Sequence, residues 1–286
     1  MRKPCVLAAV TTSATTTNQF PRPVYSDQAR HAMSKVPEVT AYFWITKVLT
    51  TGMGETASDF LTRVFGNVPA VGLGGLLLAA SLILQFRARR YVAWIYWTAV
   101  VMVSVFGTMC ADVLHVGLGI PYGVSTAFFS IALAAVFVVW YRVEGTLSIH
   151  SIHTPRRELF YWLTVVTTFA LGTAAGDLTA TTLGLGYFSS GVMFAVVIAV
   201  PALAHWKLSL GSIFAFWFAY IVTRPLGASF ADWMAVSKPR GGLNMGLGPV
   251  TLAWTAVILA FVGYLAVTRA DVEPTDLAEP EPLPTR

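Results

Sequence analysis

Between residues 40 and 268 the chain alternates eight long apolar runs with short polar breaks, at about 40–64, 69–87, 92–115, 120–141, 158–182, 187–206, 212–235 and 248–268. Each run is long enough to cross a bilayer core of about 30 Å as a helix. The runs are of two kinds. Even-numbered runs are almost wholly apolar, with Pro201 and His205 in the sixth as the main exceptions, whereas odd-numbered runs hold nearly all the ionisable residues that fall inside a run. Such groups are expensive beside lipid and belong in a bundle interior. The pattern predicts an all-α integral membrane protein of eight transmembrane helices, odd helices inner and even helices outer.

The four odd runs share one unit: a Trp, a Gly, a small residue four positions later, then an Asp. The copies are Trp44/Gly54/Ser58/Asp59, Trp97/Gly107/Ala111/Asp112, Trp162/Gly172/Gly176/Asp177 and Trp217/Gly227/Ala231/Asp232, with 15 residues from Trp to Asp in every copy. On a helix that interval is about 22 Å. The architecture expected is four parallel two-helix repeats, at about 40–90, 91–142, 158–208 and 211–268, related by an axis along the membrane normal. Disordered tails are expected at 1–39 and 269–286, with Met33 a candidate alternative start. The Gly-xxx-small strips predict close helix packing, and the four Trp residues are expected as packing groups or interfacial anchors at the cytoplasmic helix ends. A second marker, Gly72-Leu73-Gly74, Gly117-Leu118-Gly119, Gly184-Leu185-Gly186 and Gly246-Leu247-Gly248, is expected to form the outer turns.

Composition supports the membrane reading: 56% hydrophobic residues, 12% charged and a mean hydropathy of +0.66 leave too little polar surface for an ordinary soluble domain. The net charge of +5 does not point to nucleic acid, because no basic patch carries interleaved aromatics. Instead Arg87, Arg89, Arg90, Arg142, Arg156, Arg157, Lys207 and Arg269 follow even runs, against Arg63, Lys238 and Arg240 on the other side. This bias places both termini in the cytoplasm, in a bacterial inner membrane. Cys5 and Cys110 form no disulfide or metal framework. No nucleophile elbow, HExxH, Walker loop or strand-linked dinucleotide glycine motif occurs, so neither enzymatic activity nor a cofactor is expected. The partners expected are the lipid bilayer and a small ion or solute, with no nucleic acid; oligomeric state is open.

Four tandem two-helix repeats, each with a tryptophan, resemble a bacterial family of membrane proteins defined by a repeat of unknown function and labelled "membrane-anchored protein". The resemblance covers roughly residues 35–268. It implies architecture and carries no activity.

The chemistry resides in the carboxylates. Each Asp stands near a helix C-terminus, where the dipole disfavours an anion, so something must offset it. Two readings are open: the four Asp residues converge as ligands for a cation or protons, or each accepts backbone N–H groups in its own turn and braces it. Copies one and four carry extra charge. Glu55 lies one turn before Asp59, Lys47 lies two turns before Glu55 and is expected to offset it, and Arg224 sits between Thr223 and Pro225 eight residues before Asp232. Thr108 and Thr173 take the Glu55 position in copies two and three. Pro225 is expected to kink its helix. His115, His150 and His153 are expected to be bystanders.

The leading expectation is a secondary transporter of a small cationic substrate, a divalent metal or an organic cation, coupled to protons through Glu55 and Asp59. Its site is assigned to Glu55, Asp59, Asp112, Asp177 and Asp232, with Lys47 and Arg224 as internal counter-charges. No metal ligand set is assigned. The alternative is a non-transporting sensor or scaffold in which the Asp residues only brace hairpins. Convergence of the carboxylates on a water-accessible cavity distinguishes the two.

Overall fold

Helix α1 spans Ala41–Phe65, α2 Asn67–Arg87, α3 Ala93–Asp112, α4 Tyr122–Glu144, α5 Pro155–Asp177, α6 Tyr187–Leu208, α7 Ser212–Ala235 and α8 Leu247–Thr268. These elements come from a computed structural model describing residues 34–208 and 211–272. Local chemistry sets the ends. The Thr40 and Thr154 hydroxyls cap α1 and α5 by accepting from Phe43 N and Arg157 N, and Pro155 occupies the first turn of α5. Gly145, at φ 70°, ends α4 in the left-handed conformation. After Asp112 and Asp177, α3 and α5 continue as π-helical turns, Val113–Gly117 and Leu178–Thr182.

Among the described residues, six helices are long and apolar enough to cross a membrane. Helix α1 falls outside this group because it carries Lys47, Glu55, Asp59 and Arg63. In α6 the described apolar stretch is the shorter Tyr187–Val200.

Helices α1, α3, α5 and α7 touch in a closed cycle, and the even helices lie outside it. Burial follows the same division: the apolar windows of α3, α5 and α7 are 56%, 61% and 44% buried, against 22%, 17% and 17% for α2, α4 and α8. The cycle is built on glycine. Gly54 of α1 abuts Ser104 of α3, Gly107 abuts Phe169 of α5, Gly172 abuts Arg224 of α7, and Gly227 abuts Thr51 of α1. Each glycine thus meets the same position of the next copy, the one three residues before that copy's own glycine.

The hairpin of each sequence repeat is not the packing unit. Helix α2 lies mainly on α3, α4 on α5, α6 on α7, and α8 on α1, so every outer helix clasps the inner helix of the following copy. The seam between last and first copies is closed by Trp254, whose ring edge fills the space beside Gly52, and by a Thr251–Thr56 hydroxyl hydrogen bond of 2.9 Å.

Two expectations about the chain ends and turns are corrected. Gly72 and Gly74 lie within α2, and the first outer turn is the single residue Gly66 at φ 81°. In the other copies Gly119, Gly184, Gly186 and Gly246 do take positive φ. Residues 34–39, expected in a tail, are packed across one end of the bundle. Lys35 N donates to Ile152 O, Glu38 N to Asp271 O and Tyr91 N to Ser34 O, at 3.3, 3.0 and 3.0 Å. The Lys35 ammonium bonds the Glu158 carboxylate at 2.7 Å and Phe86 O at 3.1 Å, and Gln85 donates to the other Glu158 oxygen at 3.1 Å. Asp271, also assigned to a tail, is buried and accepts the Tyr91 hydroxyl. Met33, with the rest of residues 1–33, and residues 273–286 lie outside the described residues.

Candidate functional site: an acidic cavity above a buried cation hub

Counted from each Trp, the positions three, seven, eleven and fifteen residues on fall on one face of the inner helix. Four such faces make a stack of layers along the bundle axis.

The lowest layer is aromatic. Trp97, Trp162 and Trp217 are 1%, 2% and 4% exposed, while Trp44 is only partly buried. Interfacial anchoring is therefore not the role of the first three, whose rings are sealed inside an aromatic core. The residue before each Trp is also aromatic: Phe43, Tyr96, Tyr161 and Phe216. Tyr96 and Tyr161 hydroxyls meet at 2.5 Å, and Trp217 Nε1 donates to Leu147 O of the central loop at 2.9 Å. These four aromatics recur at a fixed position beside the Trp, a signal present in the sequence that the Trp–Asp unit overshadows.

The next layer is Lys47, Val100, Val165 and Tyr220, all fully buried. Lys47 does not pair with Glu55 as expected. Its ammonium lies 3.9 Å from the Phe169 ring centroid and 4.1 Å from that of Tyr220, with no hydrogen-bond acceptor among the described residues. Cation–π attraction is its counterpart in place of a carboxylate.

Glu55 is held instead by Arg224. The Arg224 Nη2 donates to Glu55 Oε2 at 2.6 Å, to Thr173 Oγ1 at 2.7 Å and to Thr108 Oγ1, while Nη1 donates to Thr51 O at 2.9 Å. One guanidinium of copy four thus reaches the Glu55 position in each of the other three copies. The close approach of Arg224 to α5 is possible because Gly172 has no side chain. Pro225, next along α7, lies against Gly172 and Gly176.

Above this hub the four faces open. Asp59, Asp112, Asp177 and Asp232 all line a single cavity of about 520 Å³, with Glu55 at its floor and the exposed Val68 and Arg240 at its mouth. Arg240, from the loop after α7, donates to the Tyr187 hydroxyl at 2.8 Å. Among the described residues none of the four Asp side chains accepts a hydrogen bond or makes an ion pair, and Asp232 is only 7% exposed. No group of three His, Cys, Asp or Glu side chains among those residues is gathered to hold one metal ion. His115 stands behind the wall, its Nδ1 3.2 Å from Ser125 Oγ and its ring centroid 4.1 Å from that of Tyr122 at a tilt of 42°.

The match of a family model decides what this four-fold arrangement is: the Repeat of Unknown Function (DUF347) recurs at residues 42–91, 95–146, 160–209 and 215–271. The chain belongs to the DUF347 family. Each DUF347 copy holds one inner and one outer helix and contributes one Asp to the cavity. No curated protein and no solved structure matches the chain.

Proposed function

We propose that this DUF347 protein is a secondary transporter of a small cationic solute. All eight helices cross a bacterial inner membrane with both termini in the cytoplasm, and the structure corresponds to a state open at the opposite end. The observation that carries the reading is the convergence of Asp59, Asp112, Asp177 and Asp232 on one cavity whose far end is stopped by the Arg224, Lys47 and aromatic layers. A polar cavity closed at one end between parallel repeats suits alternating access. The orientation rests on Arg87, Arg89, Arg90, Arg142 and Arg269 beside the closed end; Arg156 and Arg157 there are offset by Glu144, at 2.5 and 2.7 Å. Because Glu55 is engaged by Arg224, coupling protons are assigned to the four Asp residues. The scaffold alternative requires each Asp to accept from its own turn, and among the described residues none does so.

Reconstituted protein is expected to move a cation against a pH gradient. Asp112→Asn and Asp177→Asn should each lower that flux at least about tenfold, with an unchanged elution profile on size exclusion. Flux equal to wild type in both variants, or no flux with any cation at any pH, would sink the reading.

A further inference from the structure

Resting on the transporter reading, we propose that the substrate is an aliphatic diamine or polyamine, bound with its ammonium groups spread among the four Asp carboxylates. The carboxylates arrive one from each inner helix and surround the cavity. They are not gathered for a single ion: no three acidic, His or Cys side chains among the described residues could share one metal. A point cation would satisfy part of the ring and leave the rest unpaired. Asp232 is 7% exposed, faces the cavity and has no partner among the described residues, and a buried carboxylate without a partner is costly. Separated positive charges on one molecule answer all four.

The wall between the acids is mixed: Thr62, Asn67 and Thr181 line it, but Val71, Met109, Val113, Tyr122 and Tyr187 give it a large apolar and aromatic share. Hydrated metal ions gain nothing from its apolar part. A methylene chain packs against Val and Met, and an ammonium group is drawn to a tyrosine face. The cavity, at about 520 Å³, lies in the range of sites for small organic molecules. Its mouth already holds an organic cation of the protein's own, the Arg240 guanidinium, 2.8 Å from the Tyr187 hydroxyl and 5.9 Å from its ring centroid. A free polyamine would extend this arrangement inward.

The test is calorimetric titration of the detergent-purified full chain with butylamine, putrescine, spermidine, Mg²⁺ and Mn²⁺, each alone. Affinity should rise by about tenfold with each added amine, and both metals should bind more weakly than spermidine. Asp112→Asn and Asp177→Asn should weaken spermidine binding by about tenfold, and Asp112→Glu should restore most of it. Unchanged thermal unfolding of these variants excludes misfolding as the cause. Equal affinity for butylamine and spermidine, or a metal bound more tightly than any amine, overturns the polyamine assignment while leaving a cation cavity in place. Binding of no cation of either kind overturns the transporter reading as well.

Discussion

At the scale of single residues, the energetic centre is the Arg224 guanidinium, fully buried and bonded to Glu55, Thr108, Thr173 and the Thr51 carbonyl. Arg224→Ala leaves the Glu55 carboxylate buried without its cation, and the loss expected is about 3–5 kcal/mol. Adding Glu55→Ala should recover part of it, so a double-mutant cycle by thermal unfolding should show coupling above about 1 kcal/mol. Arg224→Lys should not substitute, because an ammonium lacks the planar fork that reaches several acceptors at once. The sequence marks Glu55 and Arg224 as the odd members of their copies, yet conceals that they are partners. Spacing along a helix gives height and says nothing of which neighbour stands opposite. Lys47 shows the same limit: two helical turns separate it from Glu55 by about 12 Å of rise, so Glu55 takes its cation from another helix. Outside the membrane-spanning helices, burial raises the Asp271 carboxyl above its ordinary 3.8, while the Tyr91 hydrogen bond pulls it down; the same burial, with Asp271 beside it, raises the Tyr91 hydroxyl. A raised Asp271 binds its proton more tightly folded than unfolded, so its contribution is complete below about pH 4 and fades as pH rises through the shifted value. Asp271→Asn should flatten that part of the stability profile, measured as the unfolding midpoint from about pH 4 to 7 relative to wild type.

At the scale of elements, the inner cycle depends on four glycines that admit the neighbouring helix. A Cβ on Gly107 would sit 2.7 Å from Phe169 Cβ, and one on Gly227 would sit 2.7 Å from the Val48 carbonyl oxygen. Gly107→Ala and Gly227→Ala should each destabilise by about 1–3 kcal/mol. Gly72→Ala and Gly123→Ala, with nothing within 4 Å of the added carbon, should be neutral or stabilising by up to about 1 kcal/mol. Thermal unfolding of the four variants side by side checks the contrast. The glycine strips were legible because a small residue every fourth position has a physical meaning within a single helix. The segment at residues 34–39 was not, since it has no hydrophobic period and is held by hydrogen bonds to loops far away in the chain. Its buried ion pair is Lys35 with Glu158, both side chains under 10% exposed at 9% and 1%. Lys35→Met should lower stability by about 3–5 kcal/mol and Lys35→Met with Glu158→Gln by less, because the second change removes the stranded charge.

At the scale of the whole molecule, eight runs and a four-fold unit foretell a ring of charged inner helices within apolar outer ones, because lipid and protein interior demand different surfaces. They do not foretell that each outer helix crosses to the next copy, since hairpin proximity and packing preference are separate matters. That crossing gives the ring a closing seam, α8 on α1, with Trp254 beside Gly52. The seam has a consequence in time. Synthesis delivers α1 first, and the cation that satisfies Glu55 follows 169 residues later. Until α7 emerges, the Glu55 carboxylate of the first helix lacks the cation that satisfies it in the folded protein. A nascent chain halted at residue 208, the end of α6, should be degraded quickly in a pulse-chase, and more slowly when Glu55→Gln removes the charge that is waiting.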